Sequence, residues 1–480
     1  MGFAYILRCY SVTHLHLVDN IKVWAPWCVF GTMFVLNVVI LWPGQMSLDS
    51  VQQYEMALTH HYSDHHPPMM SLFWGLLDEI YKGPGLMLLF HLVLLYGAAA
   101  LLLNLFAQYR IRWLYVGLPL MPPISFYSSM IWKDIGFGVA YLFVSSLMSV
   151  YMLRRRPMPV WAIVSSMLLL FYGTAVKFQA QYALPIVLVG LAYCLVSYRV
   201  SCKMIVLTLF MYVLYVVGLQ QFNNFFVPEE KKSYSWQWVK LYDLAGISIQ
   251  TGQILFPEFV RNYQYFSTPK IQQGFSYEGV HLLKQYKECP MRIGNNEQER
   301  EVLWNYWYAT IQQYPLYYMT HRWRNWLNTV NIIPLRKLNT LDFSVYPGLR
   351  WFCTLQQQAQ RSLSSVIDRY DKVVIAVSKL FFAFFCAIRY AIKPSLLLPF
   401  IIIYLMLGCI TLSYSSAAMP LLILNGISCA ILITFFFLSM ASTIRYIFIV
   451  LCMTHASHGF AYLCLRDWRA RCAWGKKQPL

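Results

Sequence analysis

The chain has 480 residues, of which 58% are hydrophobic, 17% aromatic and only 12% charged, against about 25% charged in an ordinary soluble domain. A soluble globule and a disordered chain are both excluded. The net charge of +18, from 38 Lys and Arg against 20 Asp and Glu, does not signal nucleic acid. Basic residues fall in short clusters between apolar runs, such as Arg110 with Arg112 and Arg154 to Arg156, which is the pattern of cytoplasmic loops.

From the N-terminus, residues 1–22 lack the clean apolar core and small-residue exit of a cleavable signal peptide, so a retained first anchor is expected. Charge-poor runs follow at 23–42, 85–107, 113–130, 135–153, 158–176, 179–197 and 204–222. At 1.5 Å per residue these runs reach about 27 to 35 Å, enough to cross the hydrocarbon layer. A long polar segment, 223–372, comes next. Beyond it lie a run at 373–388, an uncharged stretch between Lys393 and Arg445 that turns near Ser413 to Pro420, and a run at 446–465 before the basic tail 466–480.

The expected fold is therefore an all-α polytopic membrane protein of about 10 to 11 transmembrane helices. Eleven spans would put the basic tail opposite the N-terminus. The run 373–388, short and carrying Lys379, is the one to lie along the interface, and ten spans then leave both ends in the cytoplasm.

Acidic residues set the sidedness. All but three of the 20 lie in 43–84 or in 223–372, so both segments are expected on the outer side, in the periplasm or lumen. The larger one shows helical spacing. Glu301, Trp304, Tyr308 and Ile311 form one helical face that Pro315 should end, and Trp323 and Trp326 suggest another. Its aromatics serve either as core and interface belt or as a sugar platform. Cys289 and Cys353 are its only cysteines and can bridge if the compartment is oxidising.

The chemistry-bearing residues begin in the first outer loop. Asp49 sits a few residues beyond the first run, at the membrane surface, where partial desolvation can tune a carboxylate as a base. An equally simple reading makes it the cap of a helix over 50–59, and makes Asp64, before His65, His66 and two prolines, a turn-maker. His60, His61, His65 and His66 with Asp64 form the one plausible metal cluster, matching no specific signature. Lys177 and Arg445 interrupt or border apolar runs, where an unpaired charge costs at least about 2.5 kcal/mol at mid-depth. Each either contacts phosphate or snorkels or pairs with Asp134. No Asp-x-Asp and no phosphate-binding P-loop is present, which disfavours nucleotide-based donors.

Several short motifs occur in order along the chain: Asp49-Ser50-x-x-Gln53, then Asp64-x-His66-Pro67, Ile131-Trp132-Lys133-Asp134, Tyr242-Asp243-Leu244-Ala245, Tyr314-Pro315-Leu316-Tyr317 with His321-Arg322, and Arg445-Tyr446. This series resembles bacterial members of the GT-C superfamily, the polytopic glycosyltransferases that include protein O-mannosyltransferases and lipid A aminoarabinose transferases. The resemblance implies a GT-C-like bundle with a large, mostly helical periplasmic segment in a bacterial inner membrane. It also implies an inverting enzyme that moves a sugar from a polyprenyl-phosphate donor to a cell-envelope glycan or lipid acceptor. Asp49 falls on the presumed general base, with Asp64 beside it as a second catalytic candidate. His66, Lys133, Asp134, Lys177, Arg322, Arg324 and Arg445 become substrate-binding candidates. No cofactor is fixed; a divalent ion at His65, His66 and Asp64 stays open. A flippase of lipid-linked sugars and an O-antigen polymerase remain competing readings.

Overall fold

The computed structural model of the protein describes residues 24–261, 267–277, 279–280, 291–330, 394–442 and 444–475. The expected run 373–388, Cys289 and Cys353 lie outside them. Among the described residues the chain is helical, with one isolated parallel bridge between Gln45 and Met130.

Six helices are long and apolar enough to cross a membrane: Trp24–Leu41 (α1), Gly85–Leu105 (α4), Lys133–Arg154 (α7), Cys202–Phe226 (α10), Ala418–Leu438 (α16), and the stretch Arg445–Ala473, whose α-helix runs over Phe448–Gly475 (α17). Between α1 and α4 the first loop forms two helices, Leu48–Thr59 (α2) and Pro68–Ile80 (α3). Three shorter apolar helices, Val160–Val176 (α8), Leu184–Leu195 (α9) and Leu397–Thr411 (α15), reach only about 18 to 26 Å at 1.5 Å per residue, short of a hydrocarbon layer of about 30 Å.

The expected ten to eleven spans thus become six among the described residues, and proline accounts for much of the difference. The run at 113–130 is cut into Arg112–Gly117 (α5), a 3-10 turn Leu118–Leu120 and Pro122–Ser128 (α6). Pro119, Pro122 and Pro123 each remove a backbone donor where a continuous helix would need one. The run at 179–197 likewise opens as a 3-10 turn, Phe178–Tyr182, and becomes α-helical only from Leu184 with Pro185 in its first turn.

Helix α7 is the centre of the bundle. Of its most apolar window 89% is buried inside the protein, against 22% for α1 and 28% for α10, which are left to face lipid. Gly138 on α7 lies where a Cβ would come within 2.8 Å of the Phe448 ring, so a bare backbone lets the start of α17 approach α7 closely.

The region after α10 has its own apolar core of Leu241, Leu244, Ala245, Phe256, Val260, Ile271, Met291 and Leu303. It is built from Gln237–Thr251 (α11), Thr268–Gly274 (α12), Glu297–Gln313 (α13) and Pro315–Thr329 (α14). Helix α13 ends before Pro315, as its spacing predicts. Leu303 and Thr310 are buried, while Trp304 and Tyr308 are about half exposed. Trp304 and Trp307 instead carry the Lys240 ammonium over their faces, at 3.4 and 3.6 Å from the ring centroids.

Two joints fasten this region to the rest. Asp64 in the first loop accepts hydrogen bonds from the Ser233 backbone at 2.6 Å, the Ser233 hydroxyl at 2.5 Å and the Tyr234 backbone at 2.9 Å. On the other side, Arg322 donates to the Ser439 carbonyl at 2.7 Å, Ser442 donates to Asn325 Oδ1 at 2.9 Å, and Trp326 donates to the Leu432 carbonyl at 3.1 Å. The second joint clamps the 439–442 turn that leads directly to Arg445.

Candidate functional site

The first loop leaves α1 through a cis Trp42-Pro43 bond and a positive-φ Gly44. It then pairs with the strand-like approach to α7: Gln45 donates to the Ser129 carbonyl at 2.8 Å and Ile131 donates to the Gln45 carbonyl at 3.0 Å. Helix α2 is stapled to the same segment. The Ser50 hydroxyl donates to the Ile131 carbonyl at 2.7 Å, and the Trp132 indole donates to the Ser47 hydroxyl at 2.6 Å. The residue at the cap position is Ser47, with Asp49 inside the first turn. The cap reading of Asp49 is thereby replaced: its carboxylate turns outward to Arg445, and as an anion near a helix N-terminus it is well placed.

This stapling brings residues of five segments together at one end of the bundle: α2, the approach to α3, α7, the end of α8 and the turn Ile444–Ile447. Asp49 Oδ2 lies 2.9 Å from an Arg445 Nη2 nitrogen. Arg445 Nε stands 3.9 Å from Asp134 Oδ2. Asp134 is joined in turn to Lys177, which follows α8 in an extended conformation. Lys133 Nζ is 2.9 Å from His66 Nδ1, and His66 Nε2 is 3.0 Å from Gln52 Oε1. Six residues singled out from the sequence thus fall into two contact sets, Asp49, Arg445, Asp134 and Lys177 in one and Lys133 with His66 in the other, which adjoin through the neighbours Lys133 and Asp134 and through the electrostatic influence of Lys133 and His66 on Asp49.

The network is graded in depth. The Asp134 and Lys177 side chains are 4% exposed, whereas Asp49 and Arg445 are 32% and 21% exposed and form its mouth. Aromatic faces line it. The Lys177 ammonium lies 4.6 Å from the Tyr446 ring centroid and 5.6 Å from that of Phe435, two rings that stack on each other at 5.0 Å. Arg445 lies 4.9 Å from the Trp132 centroid. Phe435 and Gln52 escaped the sequence reading, because an aromatic in an apolar helix and one glutamine of a pair carry no signal until their neighbours are known.

Burial alone would raise the Asp49 carboxyl, but Arg445, and then Lys133, outweigh it and hold the group well below the usual carboxylate range. His66 is shifted down, first by burial and then by Lys133. Its hydrogen bonds agree: Gln52 Oε1 can only accept, so Nε2 carries the proton and Nδ1 accepts from the Lys133 ammonium. With His66 neutral, Lys133, Lys177 and Arg445 face Asp49 and Asp134 among the described residues, three cations against two anions. A partly desolvated group with one positive charge in excess suits an anion.

The remaining candidates lie elsewhere. Asp64 is engaged with the 233–234 backbone. His65 contacts the Ser235 hydroxyl at 3.3 Å, and both ring nitrogens of His66 are occupied. No group of three or more His, Cys, Asp or Glu able to hold a metal ion occurs among the described residues. Arg322 sits in a second, wholly buried group, 2.7 Å from Asp243 Oδ2, where His321 Nε2 is 3.3 Å from Oδ1 and the Trp307 indole donates to Oδ2 at 3.0 Å. Arg324 is exposed and bonds Tyr277.

The chain matches no protein-family model, no curated protein and no solved structure.

Proposed function

We propose that this multi-pass membrane protein is a glycosyltransferase that moves a sugar from a polyprenyl-phosphate donor to a glycan or lipid acceptor of the cell envelope, at the outer face of a bacterial inner membrane. The observation that carries the reading is the group of three cations and two carboxylates at one end of the bundle, with Asp49 and Arg445 at its mouth. A donor phosphodiester bears one negative charge, which the excess positive charge of the group complements. As the bond between the anomeric carbon and the phosphate oxygen breaks, its electron pair passes to the phosphate, which becomes more anionic. Arg445, Lys133 and Lys177 are the cations near enough to offset that growing charge.

On the other side of the reacting carbon, Asp49 takes the proton of the acceptor hydroxyl as the new carbon–oxygen bond forms. His66, held neutral between Gln52 and Lys133, fixes the Lys133 ammonium beside the carboxylate. Orientation follows from charge. Arg466, which donates to the Tyr109 hydroxyl, and the Arg154 to Arg156 turn are basic and lie at helix ends remote from Asp49, and basic ends stay in the cytoplasm.

Cells with and without the protein, compared by mass spectrometry of their surface glycans and lipids, test the reading. The expected result is loss of one sugar mass from one component in the cells that lack it. Unchanged masses, or a uniform shortening of polysaccharide chains, count against a single-sugar transferase.

A further inference from the structure

Arg445 is shared but not saturated. Its Nη2 holds Asp49 at 2.9 Å, while Nε is buried without a hydrogen-bond partner and lies 3.9 Å from an Asp134 carboxylate that Lys177 already occupies. Nε and Nη2 form one edge of the guanidinium, so Asp49 uses half of a fork that can hold two oxygens. Among the described residues the other charged and titratable groups that face Asp49 are Lys133 on α7 and His66 before α3, with Lys177 and the Arg445-bonded Tyr446 behind them. Lys133 is committed to His66. Arg445 is therefore the group whose departure changes Asp49 most.

As long as that contact stands, Asp49 offers an acceptor hydroxyl a carboxylate whose charge is already neutralised. A phosphate brought to the mouth presents two oxygens at the spacing of the fork and competes for it directly.

We propose that Arg445 is a positioning residue that exchanges partners: a lipid-borne phosphate takes its Nε and Nη2 edge, and Asp49 is released to meet the acceptor hydroxyl only once the donor is in place. The exchange rests on the glycosyltransferase reading above and deepens it. It makes the salt bridge between α2 and the turn Ile444–Ile447 the resting state of the site. It also orders the reaction, donor first. In this resting state the clamp from Asn325 and Arg322 onto 439–442 tethers the approach to the turn that bears Arg445.

The test is equilibrium binding to the full-length protein in lipid nanodiscs, with a synthetic polyprenyl monophosphate, inorganic phosphate and the matching polyprenol as separate probes. The proteins compared are the intact chain, Asp49→Asn and Arg445→Lys, each checked for abundance and monodispersity. Removing the competing carboxylate in Asp49→Asn should tighten polyprenyl-phosphate binding by about tenfold, and losing the fork in Arg445→Lys should weaken it by at least about tenfold. A purely structural salt bridge would not produce the gain. A gain seen with inorganic phosphate as well places recognition in the phosphate alone; one confined to the lipid probe adds the chain, and both support exchange. Equal or weaker binding in Asp49→Asn overturns the exchange while a loss in Arg445→Lys leaves the lipid-phosphate reading standing. No saturable binding by the intact protein overturns both.

Discussion

The pair Asp134 and Lys177 sits at the deep end of the charged network, each side chain 4% exposed. Removing one partner strands the other, at a cost of about 3 to 5 kcal/mol, whereas replacing both is far milder. Lys177→Met or Asp134→Asn alone should lower membrane abundance and the thermal midpoint, and the double variant should recover much of the loss; equal losses in all three would mean that the pair is not the unit. In the second buried group, burial lowers the His321 ring below its ordinary value near 6.5 against the opposing pull of Asp243. As pH falls through about 6.5 the unfolded chain takes up this proton first, so stability drops by up to about 1.4 kcal/mol per pH unit. Asp243, held low by Arg322 and His321 against the effect of burial, adds its own loss only at pH below its ordinary value of 3.8. Between pH 6.5 and 5, His321→Gln should therefore flatten the stability profile by about one proton, measured by thermal unfolding at stepped pH; an unchanged slope would place the sensitivity elsewhere. The Lys177 pairing was legible in the sequence, since a charge ending an apolar run needs a partner and Asp134 borders the preceding run. The bond from Lys133 to His66 was not, because it depends on the path of a loop that no periodicity describes.

At the level of helices, hydropathy located α1, α4, α7 and α10 to within about four residues at each end, because length and apolar composition are all that a long span requires; α16 begins at the turn expected near Ser413 to Pro420, and α17 runs ten residues beyond the expected end at 465. It misjudged the stretch over α5 and α6, where composition is apolar but three prolines cut the helix. The joint between α11 and α14 offers a test of packing. A Cβ on Gly246 would lie 2.1 Å from His321 Nδ1, so Gly246→Ala must displace the ring and with it the neighbouring Arg322 clamp on Ser439. The expected penalty is about 1 to 3 kcal/mol, read as faster proteolysis of the 227–330 region with the bundle still inserted. Protection equal to that of the intact protein would show that α14 can shift without cost.

For the whole molecule, the account requires the Asp49 mouth and the 232–236 segment on one side of the membrane and the basic end of α17 on the other. Reporter fusions at those two places should give opposite signals, with the α17 end in the cytoplasm; the same signal from both would contradict the arrangement of the bundle. Chelation should leave turnover close to its starting level, since both His66 nitrogens are taken by Gln52 and Lys133, and abolition by chelator would point to a metal at the mouth. Four of the six ordered motifs supply Asp49, His66, Lys133, Asp134 and Arg445 to the group, whereas Asp64, Asp243 and Arg322 lie outside it and Lys177 belongs to no motif. The most direct test of the central claim is a mass comparison of surface glycans from cells carrying the intact protein, no protein, or Asp49→Asn at equal membrane abundance. Asn keeps the shape of Asp but cannot take the acceptor proton. One sugar mass should disappear both without the protein and in Asp49→Asn; an Asp49→Asn profile identical to that of intact cells would rule out Asp49 as the base.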